Sequence, residues 1–152
     1  MKIVILVFDG LRPDLVTKEH MPALFSLIRS GVRYKHSSCV FPSSTRVNAA
    51  ALSTGSHPTT SGLVANKIAF PQVDPKNVLN TGNYDLVSEI ESASNGRFLS
   101  VPTLGEALAG HNLEFAVISS GSAGTTHFLN PQAAENNQIR LCMRDWRCST
   151  PK

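Results

Sequence analysis

Lys2-Ile-Val-Ile-Leu-Val-Phe8 is followed at once by Asp9-Gly10. A near-continuous run of β-branched and apolar residues, closed by a turn dipeptide, predicts a central parallel strand covered on both faces. In open α/β sheets the crevice lies just beyond the carboxyl ends of the strands, so Asp9 is either a functional carboxylate or the cap of its own turn. The run is too short to span a bilayer and has no small-residue cleavage site, so no membrane segment or signal peptide is read and a cytoplasmic location is expected.

Outward from that strand, Met21 to Ser30 places Met21, Leu24, Phe25, Leu27 and Ile28 at helical spacing, with Pro22 in the first turn and Gly31 as the stop. This predicts a helix packed on the sheet. Val32 to Phe41 reads as a second extended segment that delivers the chain to Pro42-Ser43-Ser44. Arg46 to Ser53 has the small apolar composition of a short buried helix stopped by Gly55, with the Thr45 hydroxyl at its N-terminus. Free N–H groups and the positive end of the helix dipole favour an anion or an alkoxide there, and Thr is equally at home there as a plain cap.

The segment 56–101 is rich in Pro, Gly, Asn, Ser and Thr and reads as a loop-rich insertion with short strands. From Pro102 the α/β rhythm returns. Thr103 can cap a helix over Leu104 to Ala109, Phe115 to Ile118 reads as a buried strand, Ile139 to Met143 as another, and Ser149 to Lys152 as the opening of a helix. Between the two strands, Ser119-Ser120-Gly121-Ser122-Ala123-Gly124 lacks the spacing and the Lys of a P-loop, so its nucleotide signal is weak. No internal repeat or interior boundary is visible, so residues 1–152 read as lying within one domain.

Composition narrows the class. The chain is 41% hydrophobic and 16% charged, values of an ordinary globular domain, and its formal charge of +3 comes from scattered Lys and Arg. There is no nucleic-acid-binding signature. Cys39, Cys142 and Cys148 show no CxxC spacing, so neither a disulfide framework nor a cysteine zinc site is expected. His20, His36, His57, His111 and His127 show no HxxxH pattern and read as surface or turn residues, as do the carboxylates Asp14, Asp74, Asp85 and Asp145.

Taken together, Phe8-Asp9-Gly10-Leu11-Arg12, Met21-Pro22-Ala23-Leu24, Phe41 to Asn48, Ser53-Thr54-Gly55, His57-Pro58, Ser61-Gly62-Leu63 and Asn66 resemble the N-terminal part of the type I phosphodiesterase and nucleotide pyrophosphatase branch of the alkaline phosphatase superfamily. The close match covers roughly the first seventy residues. The resemblance implies an α/β fold with a mostly parallel central sheet flanked by helices, and a hydrolase of small phosphodiesters, pyrophosphates or phosphate esters. It implies two divalent metal ions, most often Zn²⁺, with Asp9 matching a metal ligand. Thr45 matches the nucleophile, which also touches metal, and Asn48 matches an amide that donates to a phosphate oxygen. Arg46 reads either as a phosphate clamp or as a solvated charge.

The sequence departs from the pattern downstream. The further Asp and His ligands of such a site are missing, so the chain reads as the N-terminal portion of a longer enzyme, inactive as it stands. The competing reading is a non-catalytic α/β domain that binds a phosphate or a single cation, with Thr45 only a cap. The sequence says nothing of oligomeric state.

Overall fold

The computed structural model of the chain describes residues 2–149. It divides into two compact units, Met1–Ser38 and Cys39–Lys152. In the first unit, Lys2 to Phe8 forms no strand, and Ile3 to Phe8 are exposed, from 78% at Val4 to 50% at Phe8. The expected central strand is therefore corrected. An apolar run becomes a parallel strand only when neighbours supply hydrogen bonds on its edges, and no described strand pairs with this one.

The first unit continues through a turn in which the Leu11 N–H donates to the Phe8 carbonyl at 3.3 Å, with Gly10 at φ +73°. A single 3₁₀ turn, Pro13–Leu15, carries an exposed Arg12–Asp14 ion pair. Helix α1 (Pro22–Ser30) starts on Pro22 at its first position, as the sequence predicts. It has no buried residue. The segment after it, Val32 to Phe41, forms no strand either.

The second unit holds the core. Helix α2 (Thr45–Thr54) buries Val47, Ala49, Ala50 and Ser53 and ends on Gly55 in the left-handed conformation, φ +62°. Its small residues allow close approach to helix α6 (Ala123–Leu129). There the Ser53 hydroxyl donates to the Phe128 carbonyl at 2.7 Å. Ala49, Ala50, Leu63, Val87, Leu99 and Phe128 form one buried cluster, and the ring of Phe98 meets Phe128 edge-on at 5.2 Å.

Around this core stand helix α3 (Pro58–Ser61), strands β1 (Lys67–Phe70) and β2 (Asp74–Asn80), and helices α4 (Tyr84–Ala93) and α5 (Leu104–Gly110). Strands β1 and β2 pair antiparallel, with the register shifting between Ala69 and Phe70. Asp74 holds the loop of that hairpin by accepting from the N–H groups of Lys76 and Asn77. Segment 56–101 thus carries short strands, as expected, and also two helices that were not expected, α3 and α4. Asn83 caps α4 by accepting from the Asp85 N–H, and Val87 and Ile90 are buried at helical spacing. Helix α5 begins with a full capping box between Thr103 and Glu106.

The second sheet runs β3 (Ala116–Ser119), β4 (Ile139–Cys142), β5 (Arg147–Ser149). The β3–β4 pair is parallel and β4–β5 antiparallel. The chain is therefore a mixed α/β protein with, among the described residues, one parallel pair where a mostly parallel central sheet was expected. Ser149 ends a strand and not the expected helix, while residues 150–152 lie outside the described residues. Cys39 and Cys142 are free thiols. Among the described residues no helix is long and apolar enough to cross a membrane.

Candidate functional site at the start of helix α2

The chain enters α2 through a tight turn. The Ser44 N–H donates to the Pro42 carbonyl at 2.8 Å, and the Asn48 N–H donates to the Ser44 carbonyl at 3.0 Å. The Asn48 side chain closes the same turn from within. Its Nδ2 donates to the Ser44 carbonyl at 3.0 Å and, over a longer 3.4 Å, to the Pro42 carbonyl, while its Oδ1 accepts from the Val40 N–H at 3.2 Å. Thr45, exposed, is the first residue of the helix, and Ser44 is the N-cap by backbone conformation.

Ser44 makes no side-chain cap bond. The capping acceptor comes from further along the chain. Asn66 Oδ1 accepts from the Arg46 N–H at 3.2 Å, satisfying one of the donors that a helix start leaves open. This orientation turns the Asn66 amide hydrogens away from that N–H. Asn66 is thus a polar group of the site to which the sequence assigned no role.

Arg46 is neither a solvated charge nor a group extended toward solvent. Its Nε donates to Thr81 Oγ1 at 2.9 Å, and its Nη2 donates to the Asn66 carbonyl and to Asn80 Oδ1, each at 2.9 Å. The Thr81 hydroxyl in turn donates to the Asn66 carbonyl at 2.8 Å. Gly82 leaves room for the guanidinium, since a Cβ there would stand 2.7 Å from Nη1. Burial pushes the Arg46 pKa below its usual value, which still leaves it charged at neutral pH. No acidic residue lies three or four positions from Arg46 on α2, so nothing local in the sequence pointed to these partners.

The Ser119–Gly124 run also has a structural use here. The Gly124 N–H donates to the Gly82 carbonyl at 3.1 Å, and a Cβ on Gly124 would run into the Thr81 carbonyl. The Ser119 hydroxyl accepts from the Gly121 N–H within the run, and the Ser122 hydroxyl bonds Thr125 just after it. The glycine lets α6 press on the strand end that seats Arg46.

Of the residues singled out in the sequence, Thr45 and Asn48 come together on the first turn of α2. Asp9 lies in the other unit, exposed, in the turn after Phe8. Among the described residues no group of three or more His, Cys, Asp or Glu side chains is placed to hold a metal ion, so the donors present do not fit a complete divalent-metal site. His127 departs from the surface or turn position expected of it. It is buried inside α6, with Nε2 2.8 Å from Glu91 Oε1 and its ring edge-on to Tyr84.

Thr45, an exposed residue at a helix start, thus stands beside the Asn48 and Asn66 amides and a seated guanidinium. The profile of the family described as type I phosphodiesterase / nucleotide pyrophosphatase matches residues 3–117, more than half of the chain, and the chain belongs to that family. A similar protein is bis(5'-adenosyl)-triphosphatase enpp4 of Xenopus laevis, 36% identical over 67 residues. That stretch is 44% of this chain and spans 15% of the relative's length. No solved structure matches. The family is generally metal-dependent.

Proposed function

We propose that the chain carries the attacking part of a phosphodiesterase or nucleotide pyrophosphatase site. Thr45 Oγ1 is its nucleophile and a small phosphodiester or pyrophosphate its substrate. The observation that carries this reading is the exposed Thr45 at the first position of α2, beside the amides of Asn48 and Asn66. In the reaction the hydroxyl oxygen bonds to phosphorus and the alcohol or nucleotide on the opposite side departs; water then releases the phosphoryl or nucleotidyl group from Thr45. The positive end of the helix supports the loss of the hydroxyl proton and the charge on the phosphate.

The two Asn residues have different parts. Asn48 shapes the Pro42–Ser44 turn, and the hydrogen it directs over 3.4 Å to Pro42 is the one a phosphate oxygen can draw away. Asn66 fixes the helix start through its oxygen and offers its amide hydrogens beyond it.

Asp9 and Thr45 are the residues we assign toward a pair of divalent cations, with Zn²⁺ the best candidate. Together they are fewer than the three or four protein ligands of a stable zinc site, so no step is assigned to metal. Little or no turnover is therefore expected of the 152-residue chain with a chromogenic phosphodiester and added Zn²⁺. Robust turnover that Thr45→Ala abolishes would show that the chain holds ligands this reading lacks.

The lack of a three-donor cluster among the described residues favours a second reading for the chain by itself, a phosphate- or cation-binding α/β domain without catalysis. Calorimetry with Zn²⁺ on a form joined to the downstream part of a full-length relative separates them, two sites favouring the hydrolase and one weak site simple binding.

A further inference from the structure

We infer that Arg46 is a positioning residue: its guanidinium locks the first turn of α2 and the Asn66 amide into one rigid frame, and so sets where Thr45 presents its hydroxyl. The inference rests on the reading of Thr45 as the attacking group. Arg46 acts through both of its ends. Its backbone N–H binds Asn66 Oδ1, while its side chain binds the Asn66 carbonyl, Thr81 Oγ1 and Asn80 Oδ1. Residue 66 is therefore held at its side-chain amide and at its carbonyl by the same arginine, and Thr81 adds two further donors to that carbonyl, its hydroxyl and its backbone N–H.

A planar guanidinium with donors fixed in a fork suits three acceptors in different directions, a task that the single point of a Lys ammonium cannot repeat. The seat itself is built for the group. Gly82 leaves the space beside Nη1 open, and the Gly124 N–H fixes the Gly82 carbonyl from the far side. The three acceptors, two side-chain oxygens and one backbone carbonyl, already take Nε and Nη2 inward, which sets Arg46 apart from a clamp that reaches out to substrate. Removal of the guanidinium leaves α2 its helical hydrogen bonds further along and its buried face. What is lost is the side chain's tie from the helix start to the Asn66 carbonyl, Asn80 and Thr81, which leaves the backbone bond from residue 46 to Asn66 Oδ1 to act alone.

The test is amide hydrogen exchange on the whole chain in the native state, which does not depend on catalysis. In Arg46→Ala, protection at residues 46–48 and 81–83 is expected to fall on the order of ten- to a hundredfold. Buried amides of α2 and α6, such as those of Ala50 and Phe128, should change only as much as global stability does. Arg46→Lys is expected to fall between the two, and free guanidinium at non-denaturing concentration should restore protection in Arg46→Ala but not in wild type. A uniform loss across the core, without rescue, would overturn the inference in favour of a general stabilising role, and so would unchanged protection at 46–48. If Thr45 proves not to be the nucleophile while the local loss and rescue are seen, the reading of function fails and the frame held by Arg46 stands.

Discussion

Gly124→Ala places a methyl group where the structure has none to spare. The added Cβ would run into the Thr81 carbonyl oxygen and stand 2.9 Å from the Thr81 carbonyl carbon and 3.0 Å from that of Gly82. These are backbone atoms, so no side chain can swing aside. Overpacking of this kind costs about 1–3 kcal/mol. The displaced backbone also carries the 3.1 Å bond from the Gly124 N–H to the Gly82 carbonyl, with a net value of about 1 kcal/mol. Against this, Ala is the better helix former, by about 1 kcal/mol in a helix interior. Packing wins, and the substitution should destabilise by about 1–3 kcal/mol.

Urea unfolding followed by circular dichroism checks the figure. With slopes of about 1–3 kcal/mol per molar for domains of ordinary size, the midpoint should fall by roughly 1 M at unchanged slope. A midpoint equal to or above that of wild type would mean that helix propensity decides at this position, and would refute the close approach of α6 to Thr81 and Gly82. Because that strand end also seats Arg46, Gly124→Ala should additionally loosen amides 46–48 in hydrogen exchange.

Other substitutions probe separate links. Ser53→Ala removes the 2.7 Å bond to the Phe128 carbonyl between α2 and α6, and thermal or urea unfolding should register a loss of about 1–2 kcal/mol. Thr103→Ala breaks the capping box of α5 and should cost about 1 kcal/mol by the same measurement. Hydrogen bonds from Asn77 and Lys76 hold the Asp74 carboxyl below its usual pKa of 3.8. A carboxyl lowered by folding stabilises the fold above its unfolded pKa and loses that contribution as pH falls through the folded one. The difference in urea midpoint between wild type and Asp74→Asn should therefore shrink as pH is taken from neutral to well below 3.8, and a difference that is constant across that range would contradict the loop bonding.

How far the sequence leads depends on where each residue finds its partners. Helix α5 could be read because Thr103 and Glu106 lie three residues apart and satisfy each other. Helix α2 could be read because its stop, Gly55, and its small buried face are local facts. The β3 and β4 segments announced themselves by apolar runs and do pair, in parallel. Lys2 to Phe8 has an equally strong apolar run and forms no strand, since pairing requires a neighbour and the run cannot name one.

Helix α4 was hidden in a polar stretch, although Asn83 followed by Val87 and Ile90 carried both its cap and its buried face. At the candidate site, the placing of Thr45 and Asn48 on one helical turn was legible because they are three positions apart. The partners of Arg46 are twenty and more positions away, and the buried pairing of His127 with Glu91 spans 36 positions, so both are properties of the packed chain and not of any window of sequence.

The account stands or falls on Thr45, and the most direct measurement transplants its surroundings into a full-length relative. Residues 41–66 of this chain would replace the corresponding segment of the Xenopus laevis bis(5'-adenosyl)-triphosphatase, and phosphoester hydrolysis and bound metal would be measured with and without Thr45→Ala. The account predicts a chimera that hydrolyses its phosphoester, and a Thr45→Ala form that has lost at least a thousandfold in rate, about 4 kcal/mol of barrier, while still folded and metal-bound. A folded, metal-bound chimera whose rate is indifferent to Thr45→Ala would contradict it.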